Sequence, residues 1–224
     1  MSREFFDAIK EGNRTEVERL LNLDPGLIHT KENGFSPIMV AAYHHEPAIA
    51  SFLADKTVAI NIFEASATGK INNVIRQLAR DPQLVNAYAE DGFQPLGLAS
   101  YFGHLELVKY LIKAGAPINS PSRNGLKAAP IQSAAAAGHD KIVQMLLENG
   151  AHPNVREQGG YTPLHAAAQN KDVDMIRTLI YGGADLMLKS NDGKTALDLA
   201  KEAGDDETIA VLAEGITKRL KPKK

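Results

Sequence analysis

Residues 95–119 read PLGLASYFGHLELVKYLIKAGAPIN, and residues 130–154 read PIQSAAAAGHDKIVQMLLENGAHPN. Aligned on their prolines, the two runs share Gly-His at 103–104 and 138–139. They also share Val108/Val143 and Leu111/Leu146, and both end in Gly-Ala-x-x-Asn. A third copy, PLHAAAQNKDVDMIRTLIYGGADLM, starts at Pro163, and a degenerate one, LDLAKEAGDDETIAVLAEG, follows Ala196. The steps from Pro95 are 35, 33 and 33 residues. A fixed period of this size marks a stack of like units rather than a single closed core.

The period extends upstream. Pro37 heads IMVAAYHHE, while EFFDAIKEGNRTEVERLL and NIFEASATGKINNVIRQL lack the proline but align on Gly12 and Gly69. Seven copies result, at about 3–30, 31–60, 61–88, 89–121, 122–156, 157–189 and 190–217. They predict a single array over 1–217, with a basic C-terminal tail at 218–224. Copies one and three close on a shared phrase, Asp24-Pro25-Gly26-Leu27 and Asp81-Pro82-Gln83-Leu84, and a Gly-Phe-x-Pro phrase follows each. Only 24 residues separate Pro37 from Asn61, so the connection between copies two and three should be very short. The 35-residue step places two extra residues near Leu126 to Ala129, in one longer loop.

Each copy is legible as a helix pair. A Ser or Thr before proline starts the first helix: the hydroxyl can cap it, and proline at the first turn forfeits no hydrogen bond. Small residues such as Ala134 to Ala137 let neighbours approach closely. Gly103, Gly138 and Gly204 then stand where a left-handed residue ends that helix. The second helix carries a 3.6-residue apolar stripe, as in Leu107, Val108, Leu111 and Ile112. One such pair cannot bury its own apolar face, so the copies must stack. The predicted class is all-α, an α-solenoid.

These residues closely resemble the ankyrin repeat, whose pattern is roughly D-x-x-G-x-T-P-L-H-x-A-A-x-x-G-H, a helix with V-x-x-L-L, then G-A-x-x-N. Gly160 to Ala168, GYTPLHAAA, matches in full. Gln94 replaces the threonine, and Met39, Gly97 and Gln132 replace the histidine, which is expected to weaken a local hydrogen-bond pattern. The resemblance implies helix-turn-helix repeats with protruding fingers, and partner contacts on a concave face of fingers and first helices.

Composition bounds the function. Of 224 residues, 44% are hydrophobic and 23% charged, as in an ordinary globular protein. The N-terminal MSREFFDAIKEGN lacks the apolar core of a signal peptide, and no run approaches a membrane span. The absence of cysteine excludes disulfides and thiolate sites and fits a reducing compartment. A cytoplasmic protein is expected. Neither a G-x-S-x-G elbow nor a GxxxxGK[ST] loop occurs, so no catalytic residue, no cofactor and no enzymatic activity are expected. His44, His45 and Glu46 form the one tempting metal cluster, but adjacent residues on a helix diverge and no HxxxH spacing occurs. His104, His139 and His165 fall where the family uses histidine structurally. Asp205-Asp206-Glu207 is expected to cap a helix rather than bind a metal.

Binding has positive support. Five exposed positions in each of five framed copies occupy about a tenth of the chain, yet they hold six of its 7 Phe and 6 Tyr: Phe35, Tyr43, Phe93, Tyr101, Phe102 and Tyr161. Exposed aromatics gathered on one face serve as interface anchors. With His44, Glu32, Asn33, Glu90 and Asp91 as an acid-leaning rim, they predict a monomeric scaffold that binds an unidentified protein partner. The patch centres on copies two to four. Two alternatives compete: nucleic acid or an anionic surface held by the basic tail, and a metal or small ligand held at His44 and His45. The acid-leaning fingertips argue against nucleic acid.

Overall fold

The computed structural model describes residues 1–220; of the basic tail expected at 218–224, residues 221–224 lie outside them. Fourteen α-helices account for the described chain, which divides into two compact units, Met1–Leu84 and Val85–Lys224. The first unit contains α1 (Ser2–Lys10), α2 (Arg14–Leu23), α3 (Pro37–Tyr43), α4 (Pro47–Lys56), α5 (Ile62–Ala67) and α6 (Ile71–Arg80). The second contains α7 (Pro95–Tyr101), α8 (Leu105–Lys113), α9 (Pro130–Ala136) and α10 (Asp140–Glu148). It continues through α11 (Pro163–Gln169), α12 (Val173–Tyr181), α13 (Ala196–Ala203) and α14 (Asp206–Leu220). The Asp-Pro-x-Leu phrases become 3-10 turns at Pro25–His29 and Pro82–Asn86, and the connection between α4 and α5 is only residues 57–61.

The seven-residue helices α3, α7, α9 and α11 are short because proline fixes their start and a left-handed residue follows their end. Pro37, Pro95, Pro130 and Pro163 each occupy a first helical turn. In the first unit α1, α3 and α5 stack; in the second α7, α9, α11 and α13 do, backed by a row of α8, α10, α12 and α14. Between the rows Leu107, Leu111, Ile142, Leu146, Ile176 and Leu179 are almost wholly buried. Each such side chain contributes about 1.5–3 kcal/mol on transfer from water. The layer between α1 and α3 begins with Phe5 and Phe6, edge to face at 5.8 Å, while Arg3, Glu4, Glu11 and Arg14 on the outer side are exposed. Asp205 caps α14 through the Thr208 N–H at 3.0 Å, as expected for that acidic run.

Gly103 shows why the turn after an inner helix needs glycine. Its φ is 82°, and a Cβ there would lie 2.6 Å from the His139 ring. That ring's Nε2 sits 3.0 Å from the Tyr101 carbonyl oxygen, so the turn of one copy is pinned by the histidine of the next. The closing Asn of copies four and five does similar work. Asn119 Nδ2 donates to the Gly150 carbonyl and its Oδ1 accepts from the His152 N–H; Asn154 repeats the pair with Gly183 and Asp185. The sequence spacing Gly-Ala-x-x-Asn is therefore an inter-copy staple.

Candidate functional site

Fingers project between the helix pairs, and their backbones explain where the predicted aromatics stand. In the first unit Glu32 and Phe35 exchange both backbone hydrogen bonds at 2.9 Å around Asn33-Gly34, with φ of 52° and 89°. Two successive left-handed residues make the tight hairpin that Asn-Gly favours. This turn sends Phe35 back onto Tyr43 at the end of α3, edge to face at 5.7 Å. Glu32 is bound to Lys10 at 2.7 Å, which ties the fingertip to α1. His44 and His45 are exposed, and His45 has φ of 60°, where every other copy but the sixth, with Lys171, places glycine. Among the described residues no group of three or more His, Cys, Asp or Glu side chains is placed to hold a metal ion.

The second unit's fingers are linked edge to edge. The Arg123 N–H donates to the Gly92 carbonyl, the Gln158 N–H to Leu126, and the Asn191 N–H to Gly159. The extra residues of the longer finger thus supply a rung: Leu126 and Lys127 turn over Asn124 Oδ1, and Lys127 takes φ of 55°. Asp91 is a turn former, with its carboxylate accepting from the Phe93 N–H and its carbonyl from Asn124. Glu90 is exposed. Fingers here carry both signs of charge, Arg123, Arg156 and Lys189 among them, rather than an acid-leaning rim.

The six aromatics prove half-buried, not exposed. They shelter one another or their own helix. Tyr101 meets Phe102 at 5.1 Å and 86°, and Tyr161 meets His165 at 5.5 Å while its hydroxyl donates to Asp192. Phe93 lies across α7 at Gly97, where an added Cβ would touch its ring at 3.4 Å.

Sequence reasoning missed a cleft of about 340 Å³ in the second unit. It lies between the fingers and α9 and α11, with walls of Phe93, Tyr101, Leu126, Ala136 and Tyr161, and Glu157 the one charged lining residue. The only sequence signal for it is the longer finger, which delivers Leu126, 55% exposed. Tyr181, at the end of α12 on the face opposite Met175, Ile176 and Leu179, is 96% exposed and was also missed.

The expected weakening at Gln132 does not occur. Its Oε1 accepts from the Ala129 N–H at 2.9 Å, and its Nε2 donates to the Tyr161 carbonyl at 3.0 Å. His165 spans the same gap, with Nδ1 3.1 Å from the Thr162 nitrogen and Nε2 3.0 Å from the Lys194 carbonyl oxygen. An amide carries a donor and an acceptor at nearly the imidazole's separation, so glutamine replaces it. Gln94 likewise replaces the threonine productively, donating to the Asn86 carbonyl at 2.9 Å. Burial holds His165 below the usual histidine pKa, and the nearby Arg156 charge adds to that against the pull of the Lys194 carbonyl.

No helix among the described residues is long and apolar enough to cross a membrane. A family model described as ankyrin repeats (3 copies) matches residues 5–121, 62–157 and 131–221. The chain is similar to a putative ankyrin repeat protein of fowlpox virus, at 31% identity over 64% of its residues. It is also similar to a subunit of target of rapamycin complex 2 in Saccharomyces cerevisiae, at 29% over 70%. An ankyrin repeat domain-containing protein of Stachybotrys chartarum matches at 27% over 86%. The chain spans 44%, 37% and 10% of those relatives' lengths, respectively.

Proposed function

The chain belongs to the ankyrin-repeat family, and from that premise we propose that it is a non-enzymatic scaffold that binds another protein through its fingers and inner helices. Ankyrin repeats are in general protein–protein interaction modules. Support comes from the aromatics on the fingers and inner helices of each unit taken by itself: Phe35 and Tyr43 in the first, and Phe93, Tyr101, Phe102 and Tyr161 in the second. Half-buried rings with fixed neighbours suit this role, because they lose little freedom on binding yet still offer a face to a partner. The similarity to a subunit of a protein complex fits such a role.

The test is affinity capture from the source cell's lysate, read by mass spectrometry. The parent is compared with a variant carrying Tyr43→Ala, Tyr101→Ala and Phe102→Ala. Copy five already carries Ala136 and Ala137 at the positions of Tyr101 and Phe102, so the architecture tolerates alanine there. A partner captured by the parent and lost by the variant, with helical signal intact, supports the proposal. Equal capture by both removes it.

A further inference from the structure

The cleft in the second unit combines two features that favour different occupants. Phe93, Tyr101, Tyr161 and Leu126 make it apolar and aromatic, yet the acidic residue Glu157 is part of its lining. Glu157 Oε1 accepts from the Gly159 N–H at 2.9 Å and from the Tyr161 N–H at 3.4 Å, which fixes the group in place. Its Oε2 makes no hydrogen bond to any described residue. Neighbouring cations are directed elsewhere: Arg156 donates to the Lys189 carbonyl at 2.7 Å, and Lys194 pairs with Glu202 at 2.7 Å. Neither lines the cleft.

An apolar side chain entering here would strip water from Glu157 and return nothing, which costs affinity. A cation on a hydrocarbon stem satisfies both features. Its stem covers the apolar wall, its charge faces the aromatic rings, and its N–H groups meet Oε2. Guanidinium suits the cleft better than ammonium, because it is planar, weakly hydrated and stacks on aromatic faces. At about 340 Å³ the cleft is near the lower end of ligand pockets, the size for one long side chain rather than a helix. We propose that this cleft is an arginine-recognition slot, receiving one arginine from an extended segment of the partner protein. The proposal rests on the finger-and-inner-helix binding described above and names what the partner presents there.

The experiment selects short random peptides, displayed on phage, against the full chain. Selected peptides should carry arginine at one fixed position. Replacing it with citrulline, which keeps the shape and removes the charge, should weaken binding about tenfold. Glu157→Gln keeps an oxygen for Gly159 and Tyr161, so the finger persists; it should weaken the arginine peptide and shrink the arginine–citrulline difference, leaving the part due to the rings. If that variant melts early, Phe93→Leu, which removes a ring and no finger hydrogen bond, should give a similar loss for the arginine peptide.

Selection of no peptide overturns the slot. So does an arginine–citrulline difference that is undiminished in Glu157→Gln. Peptides with an apolar anchor that are lost on Tyr101→Ala overturn the slot but leave the binding face standing. Peptides indifferent to both Tyr101→Ala and Glu157→Gln overturn both.

Discussion

Replacing Gly103 by alanine tests how one copy holds the next. The residue has φ of 82°, and a left-handed conformation costs a side-chain-bearing residue about 1–2 kcal/mol. The new methyl would also lie 2.6 Å from His139 Cε1, so the imidazole must move. Its Nε2 then loses the Tyr101 carbonyl, a hydrogen bond worth about 0.5–1.5 kcal/mol net. Together these give a destabilisation of about 2–3 kcal/mol. His139→Ala alone removes only the second contribution. In the double variant the methyl meets no imidazole, so the pair should cost about 1 kcal/mol less than the sum of the singles. Urea unfolding followed by circular dichroism measures all four proteins, provided the slopes agree. Strict additivity, or a Gly103→Ala variant within about 0.5 kcal/mol of the parent, would refute the coupling.

His45→Gly and Lys171→Gly place glycine where φ is 60° and 56°; each should raise stability by about 0.5–1 kcal/mol, read as a higher melting midpoint. Gln132→Leu strands the Ala129 N–H and the Tyr161 carbonyl and should cost about 2–3 kcal/mol in urea unfolding, while Gln132→His should recover most of it. His165, 1% exposed, has a lowered folded pKa, so the unfolded chain takes up its proton first as pH falls. Its contribution is fully present above the unfolded value of about 6.5 and lost as pH falls through the folded one; melting across that window should show the decline, and His165→Gln should flatten it.

The helix frame was legible because it rests on local backbone chemistry. Proline at a first turn, glycine at positive φ and an apolar stripe at helical spacing each act within a few residues, so Pro95, Gly103 and Leu107 could be placed without knowledge of their neighbours. Partnerships across copies were not legible from one copy's pattern. Gln132 reads as a lost histidine until the Tyr161 carbonyl, 29 residues on, is seen to need a donor. Phe35 and Tyr43 read as two exposed rings until the Asn33-Gly34 turn folds one onto the other. Glu157 was invisible as a site residue, because its meaning depends on Leu126 and Phe93 from two other fingers.

The central claim, partner binding on the finger-and-inner-helix face, is tested most directly by amide hydrogen exchange on the free protein and on its captured complex. The account predicts new protection at residues 32–36, 89–93, 124–129 and 157–161, with the amides of α8, α10 and α12 unchanged. Protection confined to those outer helices, with the fingers unchanged, would contradict it.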